Sequence, residues 1–220
     1  MTLYASFASR RIVSGIVSIP YYGTWAADVV LAEGDATATS GDLVIGGLTL
    51  ARAGLGRTGA LGGSRGVALN GATGWRQTVP AEGYSLSGGV RVATILDDVA
   101  GLVGETVTGY DTSATVGTHY ARREGVAARV LRDVGGALWW VRPDGVTSLA
   151  ARASTPIVSQ FMVESRDGAN GRVRVSTENP EDWMPGRTFA SATIPEVQTI
   201  AHTQIYLEAG GELRVEVLVT

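Results

Sequence analysis

The sequence predicts a mainly β protein of the α+β class, in which two small antiparallel β-barrel or β-sandwich modules flank an insertion of two helices and a hairpin. Short β-branched segments bounded by glycine, aspartate or proline fill both ends of the chain. The apolar residues in the middle recur at helical spacing instead. Glycine, at 30 of 220 residues, supplies the turns that such a fold needs. We expect module boundaries at 1–86, 87–150 and 151–220.

The first module is expected to consist of short strands joined by turns. The expected strands are 12–19, 25–31, 43–50, 65–69 and 75–79. Asn70-Gly71 is a turn signal before the last of them. Because the connections are short, we expect an antiparallel sandwich or barrel.

The insertion begins with an amphipathic helix between Val90 and Val103. Its apolar residues recur at three- and four-residue steps, which places them on one face. They are Val92, Ile95, Leu96, Val99, Leu102 and Val103. We expect Ser87 to provide the entry to this helix and Gly104 to end it in the left-handed conformation.

A shorter helix and a hairpin complete the insertion. The helical pattern is carried by Val126, Val130, Leu131 and Val134, and it is closed by Gly135-Gly136. The period then changes to two over 138–141 and 146–149, on either side of Pro143-Asp144-Gly145. Because proline presets φ and glycine accepts positive φ, this segment predicts a β-hairpin that carries Trp139 and Trp140.

The last module repeats the strand pattern of the first. The expected strands are 157–164, 171–176, 188–194, 203–208 and 212–219. The segments 172–175 and 213–217 alternate strictly between apolar and charged residues. Each therefore predicts a strand with one buried face and one charged face.

The glycine-rich segment 54–66 contains the spacing G-x-G-x-x-G of dinucleotide-binding loops. A dinucleotide site is not expected, because further glycines and another strand follow where the motif needs a helix. We expect a flexible glycine loop that becomes ordered against a partner. The candidate partner contacts are Arg52, Arg57, Arg65 and Trp183. No specific nucleic-acid site is expected, because no aromatic residues are interleaved with these arginines.

No set of residues predicts catalysis or metal binding. The two histidines, His119 and His202, are far apart, and cysteine is absent, so a conventional zinc site is not expected. His119 is expected in the polar first turn of the second helix. We therefore predict that the protein is not an enzyme and needs no cofactor.

Charge and hydropathy limit the other classes of partner. The 18 basic and 21 acidic residues give a net charge of −3, which provides no general attraction to nucleic acid or to anionic membranes. The sequence has no apolar run of membrane-spanning length and no signal-peptide pattern at its start. We expect a soluble protein that is synthesised in the cytoplasm, without a membrane anchor.

The order of these elements resembles the central hub proteins of phage baseplates and tail tips, which are related to the N-terminal part of type VI secretion spike proteins. The resemblance rests on the helix at 90–104, followed by a second helix and the hairpin Trp139 to Val146. The stretches 16–20, 23–29 and 74–81 also look like recurring segments of phage tail proteins. The resemblance covers the chain from about Ile16 to Leu149.

The resemblance implies a structural virion protein that forms a homotrimer. Two β-barrels in each subunit would give six similar modules around an axis, so that a three-fold hub can meet a six-fold tail tube. The implied partners are the tail tube, the tape-measure protein and a tip or spike protein. The chain is short for the family and has no room for a spike β-helix or a fused lysozyme, so the spike is expected on another chain.

Two functions compete at this point. The first is the hub or adaptor of a phage tail or phage-like device. The alternative is a carbohydrate-binding or cell-wall-degrading β protein that uses Trp25, Trp75 or Trp183 as a sugar platform. A hub is expected to assemble into a trimer, whereas a sugar binder is expected to remain a monomer whose tryptophan fluorescence responds to glycans.

Overall fold

The protein is divided into two compact units, one of residues 1–71 with 152–220 and the other of residues 72–151. A computed structural model describes residues 4–32, 38–61, 64–136, 138–208 and 213–220. Strands dominate the first unit, whereas the second combines short strands with the two α-helices of the described residues. The predicted mainly β, α+β fold class is confirmed.

The first six strands form a closed antiparallel barrel. They are β1 (Ala5–Phe7), β2 (Arg10–Pro20), β3 (Ala26–Leu31), β4 (Ser40–Ile45), β5 (Leu48–Leu61) and β6 (Ser64–Asn70). Their order is β1-β4-β5-β6-β3-β2, and β1 also pairs with β2, which closes the ring. Alternate residues point inward and are buried, as Val17, Val29 and Val67 illustrate.

The prediction of a flexible loop over 54–66 is wrong. Most of this segment lies in the long strand β5 and in β6, which pair with each other and with β3. Residues 62 and 63 lie outside the described residues. Gly56 occupies a bulge between Leu55 and Arg57, where a residue without a side chain is readily accepted. The G-x-G-x-x-G spacing therefore belongs to a strand, not to the loop before a helix.

The unit of residues 72–151 contains both helices and several short strands. Its elements are β7 (Thr78–Val79), β8 (Glu82–Ser85), β9 (Val90–Arg91), α1 (Val92–Val103), β10 (Val107–Thr108), β11 (Thr115–Val116), β12 (His119–Arg122), β13 (Gly125–Val126), α2 (Ala128–Gly135), β14 (Trp140–Val141) and β15 (Thr147–Ser148). Residues 72–86, which were expected in the first module, are part of this unit. They are held there because β7 pairs with β13 and β8 pairs with β12.

Both helices and the hairpin lie close to their predicted positions. Gly104 ends α1 with φ of 69°, and β14 pairs with β15 across the Pro-Asp-Gly turn. Four details differ. Arg91 replaces Ser87 as the residue before the first turn of α1, and Leu102 is exposed on that helix. His119 lies in β12 and Val126 in β13 instead of in α2. The short strands β9, β12 and β13 account for Arg91, His119 and Val126, because the pairing partners of these strands are distant in sequence.

Five further strands form the second β module. They are β16 (Phe161–Asp167), β17 (Arg172–Thr177), β18 (Thr188–Ser191), β19 (Ile194–Glu208) and β20 (Arg214–Val219). Their order is β18-β19-β20-β17-β16, and all of these pairs are antiparallel. Their core includes an aromatic cluster of Phe161, Trp183 and Phe189, with ring centroids 5.0 to 6.0 Å apart.

Strand β19 joins the barrel to the second module. It pairs with β20 on one side and with β2 on the other. The sheet therefore continues from the barrel into the second module without an edge between them. Neither of the described helices is long and apolar enough to cross a membrane.

Candidate assembly surfaces

The continuous sheet of the unit of residues 1–71 and 152–220 has a regular outer face. It extends over eight strands, from β5 through β6, β3, β2, β19, β20 and β17 to β16. Neighbouring strands lie about 4.8 Å apart, so the face measures roughly 35 Å along the sheet. Residues in register across it point to the same side. One such row contains Arg57, Ala68, Asp28, Ile16, Tyr206 and Arg214.

The barrel half of this face carries mostly small side chains. Ser14, Ser18, Ala26, Gly66 and Ala68 all lie on it. Ile16 is the large apolar side chain among them, and 44 % of its surface is exposed. A surface of small residues allows another backbone to approach closely, and this half is therefore suited to a contact with a second protein surface.

The other half of the face is charged and internally paired. Glu216 accepts hydrogen bonds from Arg174 at 3.0 Å and from Arg172 at 3.4 Å. The bond to Glu216 raises the pKa of Arg174, whose guanidinium also lies 5.8 Å from the centre of the Tyr206 ring. These charges pair with one another at a partly exposed surface, so each pair contributes little to stability.

His202 lies at the edge of the charged half. Its Nε2 is 2.8 Å from Oγ of Ser18 on the neighbouring strand. Partial burial lowers the pKa of His202, and the nearby positive charge of Arg172 lowers it further. At neutral pH the imidazole is therefore uncharged, which suits its contact with the Ser18 hydroxyl.

The second module has an open groove between β16 and β18. Ile157 donates a backbone hydrogen bond to Thr188, and Thr188 donates one to Thr155, so the chain is parallel to β18 at this point. Beyond it, no backbone hydrogen bond among the described residues joins 159–163 to 190–193. These two segments line a groove of about 590 Å³.

Apolar side chains surround this open edge. Met162 is 62 % exposed and Val158 is 89 % exposed. The hydroxyl of Ser159 is buried and has no hydrogen-bond partner among the described residues. Unpaired strand edges with apolar neighbours are the usual sites of strand addition from another chain.

The structure separates the four predicted partner contacts. Arg57 is exposed on the outer face of β5, whereas Arg65 is in register with Leu31 and lies on the inner side of β6. Arg52 has φ of 57°, and its backbone N–H donates to Asp42. Trp183 is fully buried in the aromatic cluster of the second module, so its ring has no surface to offer to a partner. The large apolar area of the ring explains this position.

The predicted sugar platforms lie in the interior. The exposed fractions of Trp25, Trp75 and Trp183 are 1 %, 2 % and 0 %. A sugar stacks on an exposed aromatic face, and none of these rings has one. No group of three or more metal-ligating side chains occurs among the described residues.

Comparison with solved structures identifies the class of fold. The tail protein from Neisseria meningitidis MC58 has a TM-score of 0.65 at 13 % identity, over 100 % of this chain and 96 % of that chain. The 43 kDa tail protein of prophage MuSo2 from Shewanella oneidensis has a TM-score of 0.62 at 10 % identity, over 99 % and 98 % of the two chains. No protein-family model and no curated protein matches the sequence.

A third similar structure extends the class beyond phages. The c3393 protein of E. coli, described as a component of the type VI secretion system with structural similarity to the T4 tail proteins gp27 and gp5, has a TM-score of 0.66 at 12 % identity. The match covers 98 % of this chain and 76 % of that chain. The fold is therefore the one that phage tail proteins share with a type VI secretion protein, as the resemblance predicted.

Proposed function

We propose that the protein is a structural component of a phage tail or phage-like device, and that it acts as a hub or adaptor between the tail tube and the tip or spike. The observation that carries this proposal is the continuous sheet in which β19 joins a closed barrel to a second β module. The similar solved structures, two of them tail proteins, share this fold over nearly the whole of this chain.

The proposed working form is a homotrimer. Two β modules in each subunit would present six similar modules around the axis, which suits contact with a six-fold tube. In a symmetric ring, strand edges that are unpaired in a single subunit can pair with a neighbouring subunit. We place one subunit contact at the open edge of β16, around Met162, because both its backbone and its apolar side chains are available there.

The proposed partners are the tail tube, the tape-measure protein and a separate tip or spike protein. The small residues on the barrel half of the outer face would allow close packing against one of them. The proposed location is the virion tail, and no enzymatic step is assigned to the protein. The sugar-binding alternative receives no support, because its three tryptophans are buried.

Co-expression with candidate tail-tube and tip proteins from the same genome tests this role. A hub is expected to elute with both proteins in one complex, and image reconstruction of that complex is expected to place it between them. The absence of any complex with either protein, under conditions in which each is folded, would refute the proposed role.

A further inference from the structure

We infer that the groove between β12, β13 and α2 docks a carboxylate-bearing segment of a partner protein. The groove has a volume of about 410 Å³ and lies within the unit of residues 72–151. This volume is at the small end of the range for ligand sites in proteins, so it suits a short peptide segment. The inference stands on the charges and contacts of the groove and does not depend on the proposed tail role.

Four arginines line the groove, and they differ in how their charges are satisfied. Arg122 is buried, and its guanidinium binds the carboxylate of Asp98 at 2.8 Å, the hydroxyl of Tyr84 and the carbonyl of Pro80. Arg122 is therefore already neutralised and fixes the end of β12. Arg122 forms part of the groove wall, and an incoming anion would contact the other three arginines instead.

Arg123 and Arg129 are exposed, and neither makes an ion pair or hydrogen bond with another described residue. The guanidinium of Arg129 lies across the bare backbone of Gly125, where a Cβ would come within 3.3 Å of Nη1. Arg132 has only a weak contact of 3.8 Å to Asp133, and both side chains are exposed. Two or three guanidinium groups therefore remain available to an incoming carboxylate.

The positions of these charges oppose the ordinary preferences of a helix. Arg129 lies in the first turn of α2, which carries no acidic residue, and cations are disfavoured at that end. Arg129 and Arg132 are three residues apart, so two like charges share one face. A bound anion would offset both the unfavourable interaction with the helix dipole and the repulsion between the two arginines. Residues that reduce local stability are commonly found at functional sites.

The other lining residues favour a peptide over a nucleic acid. Val79 and Val130 are buried beneath the groove and Val126 is 40 % exposed, so the groove also accepts an apolar side chain. Glu124 and Asp133 line the same groove, so an isolated carboxylate between the arginines suits it better than a chain of successive phosphates. Tyr120 is the one aromatic ring in the lining, which provides little surface for stacked bases. An acidic residue beside an apolar residue matches these features.

Fluorescence anisotropy with the full chain tests the inference. The probe is a fluorescein-labelled peptide of alternating glutamate and leucine, and the comparison probes are its glutamine counterpart and a short oligothymidine. We expect the glutamate peptide to bind in a salt-dependent manner. The double variant R123Q/R129Q is expected to weaken that binding about tenfold or more, since it removes two charge-assisted hydrogen bonds.

The double variant R57Q/R91Q removes the same charge from exposed positions outside the groove and is the matched control, expected to change the affinity by less than about twofold. A structural role for Arg129 would lower the melting temperature of R123Q/R129Q, whereas the docking role leaves it unchanged or higher. Equal binding of the glutamine peptide, an equal loss in the control, or tighter binding of oligothymidine through the same arginines would overturn the inference.

Discussion

Tyr206 of β19 lies directly opposite Ile16 of β2. This pair is one of seven in register between the two strands, and residues 202–206 of β19 also pair with β20 on the other side. The barrel and the second module are therefore parts of one sheet. Strand β2 belongs to the barrel and β19 belongs to the second module. A substitution that disrupts the pairing of these two strands is therefore expected to destabilise both modules.

Gly15 tests the close contact between β2 and β3. A Cβ at this position would lie 2.6 Å from the carbonyl oxygen of Asp28 and 2.7 Å from a methyl group of Val29. We expect Gly15→Ala to lower the free energy of unfolding by about 1–3 kcal/mol, measured by chemical denaturation. The matched control is Gly59→Ala on β5, where a Cβ meets nothing within 4 Å. Equal stability of the two variants would show that the strands are not this close.

Trp183 tests the distinction between a core residue and a contact residue. Its ring is buried against Phe161 and Phe189. We expect Trp183→Ala to cost about 3–5 kcal/mol of folding free energy, as measured by urea unfolding. The control is Met162→Ala, on the exposed side of the same module, which is expected to cost less than about 1 kcal/mol. A fully stable W183A protein would contradict the buried position.

Asp98 and Asp97 provide a matched pair of adjacent carboxylates on α1. Asp98 binds the buried guanidinium of Arg122, whereas Asp97 accepts a hydrogen bond from the half-buried Tyr110. That bond is the main reason why the pKa of Tyr110 is raised to about 12. We expect Asp98→Ala to destabilise the unit of residues 72–151 by about 1–3 kcal/mol and Asp97→Ala by less than about 1 kcal/mol. Thermal unfolding followed by circular dichroism measures both, and an equal effect would contradict the special role of Arg122.

His202 is expected to make stability depend on pH. Burial lowers its pKa in the folded protein below the ordinary value of about 6.5, so the unfolded chain binds more protons in this range. Stability is then fully present above pH 6.5 and falls as the pH decreases through and below that value. We expect His202→Gln to flatten this part of the profile. An identical profile for H202Q and the parent protein would contradict this role.

The sequence predicts elements whose signal is local. The period of α1, the left-handed Gly104 and the turn at Pro143-Asp144-Gly145 each lie within a few residues of the structure they determine. The strand β5 was missed between residues 54 and 61, because its glycines hide the alternation that marks a strand. Sequence alone therefore located the helices better than it located the edges of the barrel.

Neither the open edge nor the arginine groove could be predicted from spacing. The edge exists because the bridge from this part of the chain to β18 lies at Pro156, before β16 begins, although both strands were expected individually. The groove requires β12, β13 and α2 to meet, and the pairing of β13 with β7 spans nearly 50 residues. The cluster Arg122, Arg123, Arg129 and Arg132 was the available signal, since it concentrates positive charge in a short segment.

The open edge of β16 provides a test of how subunits associate. A lysine on an edge strand prevents another strand from adding to it. We therefore expect Met162→Lys to abolish self-association without loss of secondary structure, whereas Leu102→Lys, at an exposed position on α1, leaves it intact. An unchanged oligomer in M162K would place the subunit contact elsewhere.

Sedimentation equilibrium of the purified parent protein, alone and mixed with a candidate tail-tube protein from the same genome, tests the proposed hub most directly. We predict that three copies of this chain associate, either in the protein alone or at least when the tube protein is present. A protein that remains a monomer at every concentration, with and without the tube protein, would contradict the homotrimeric hub.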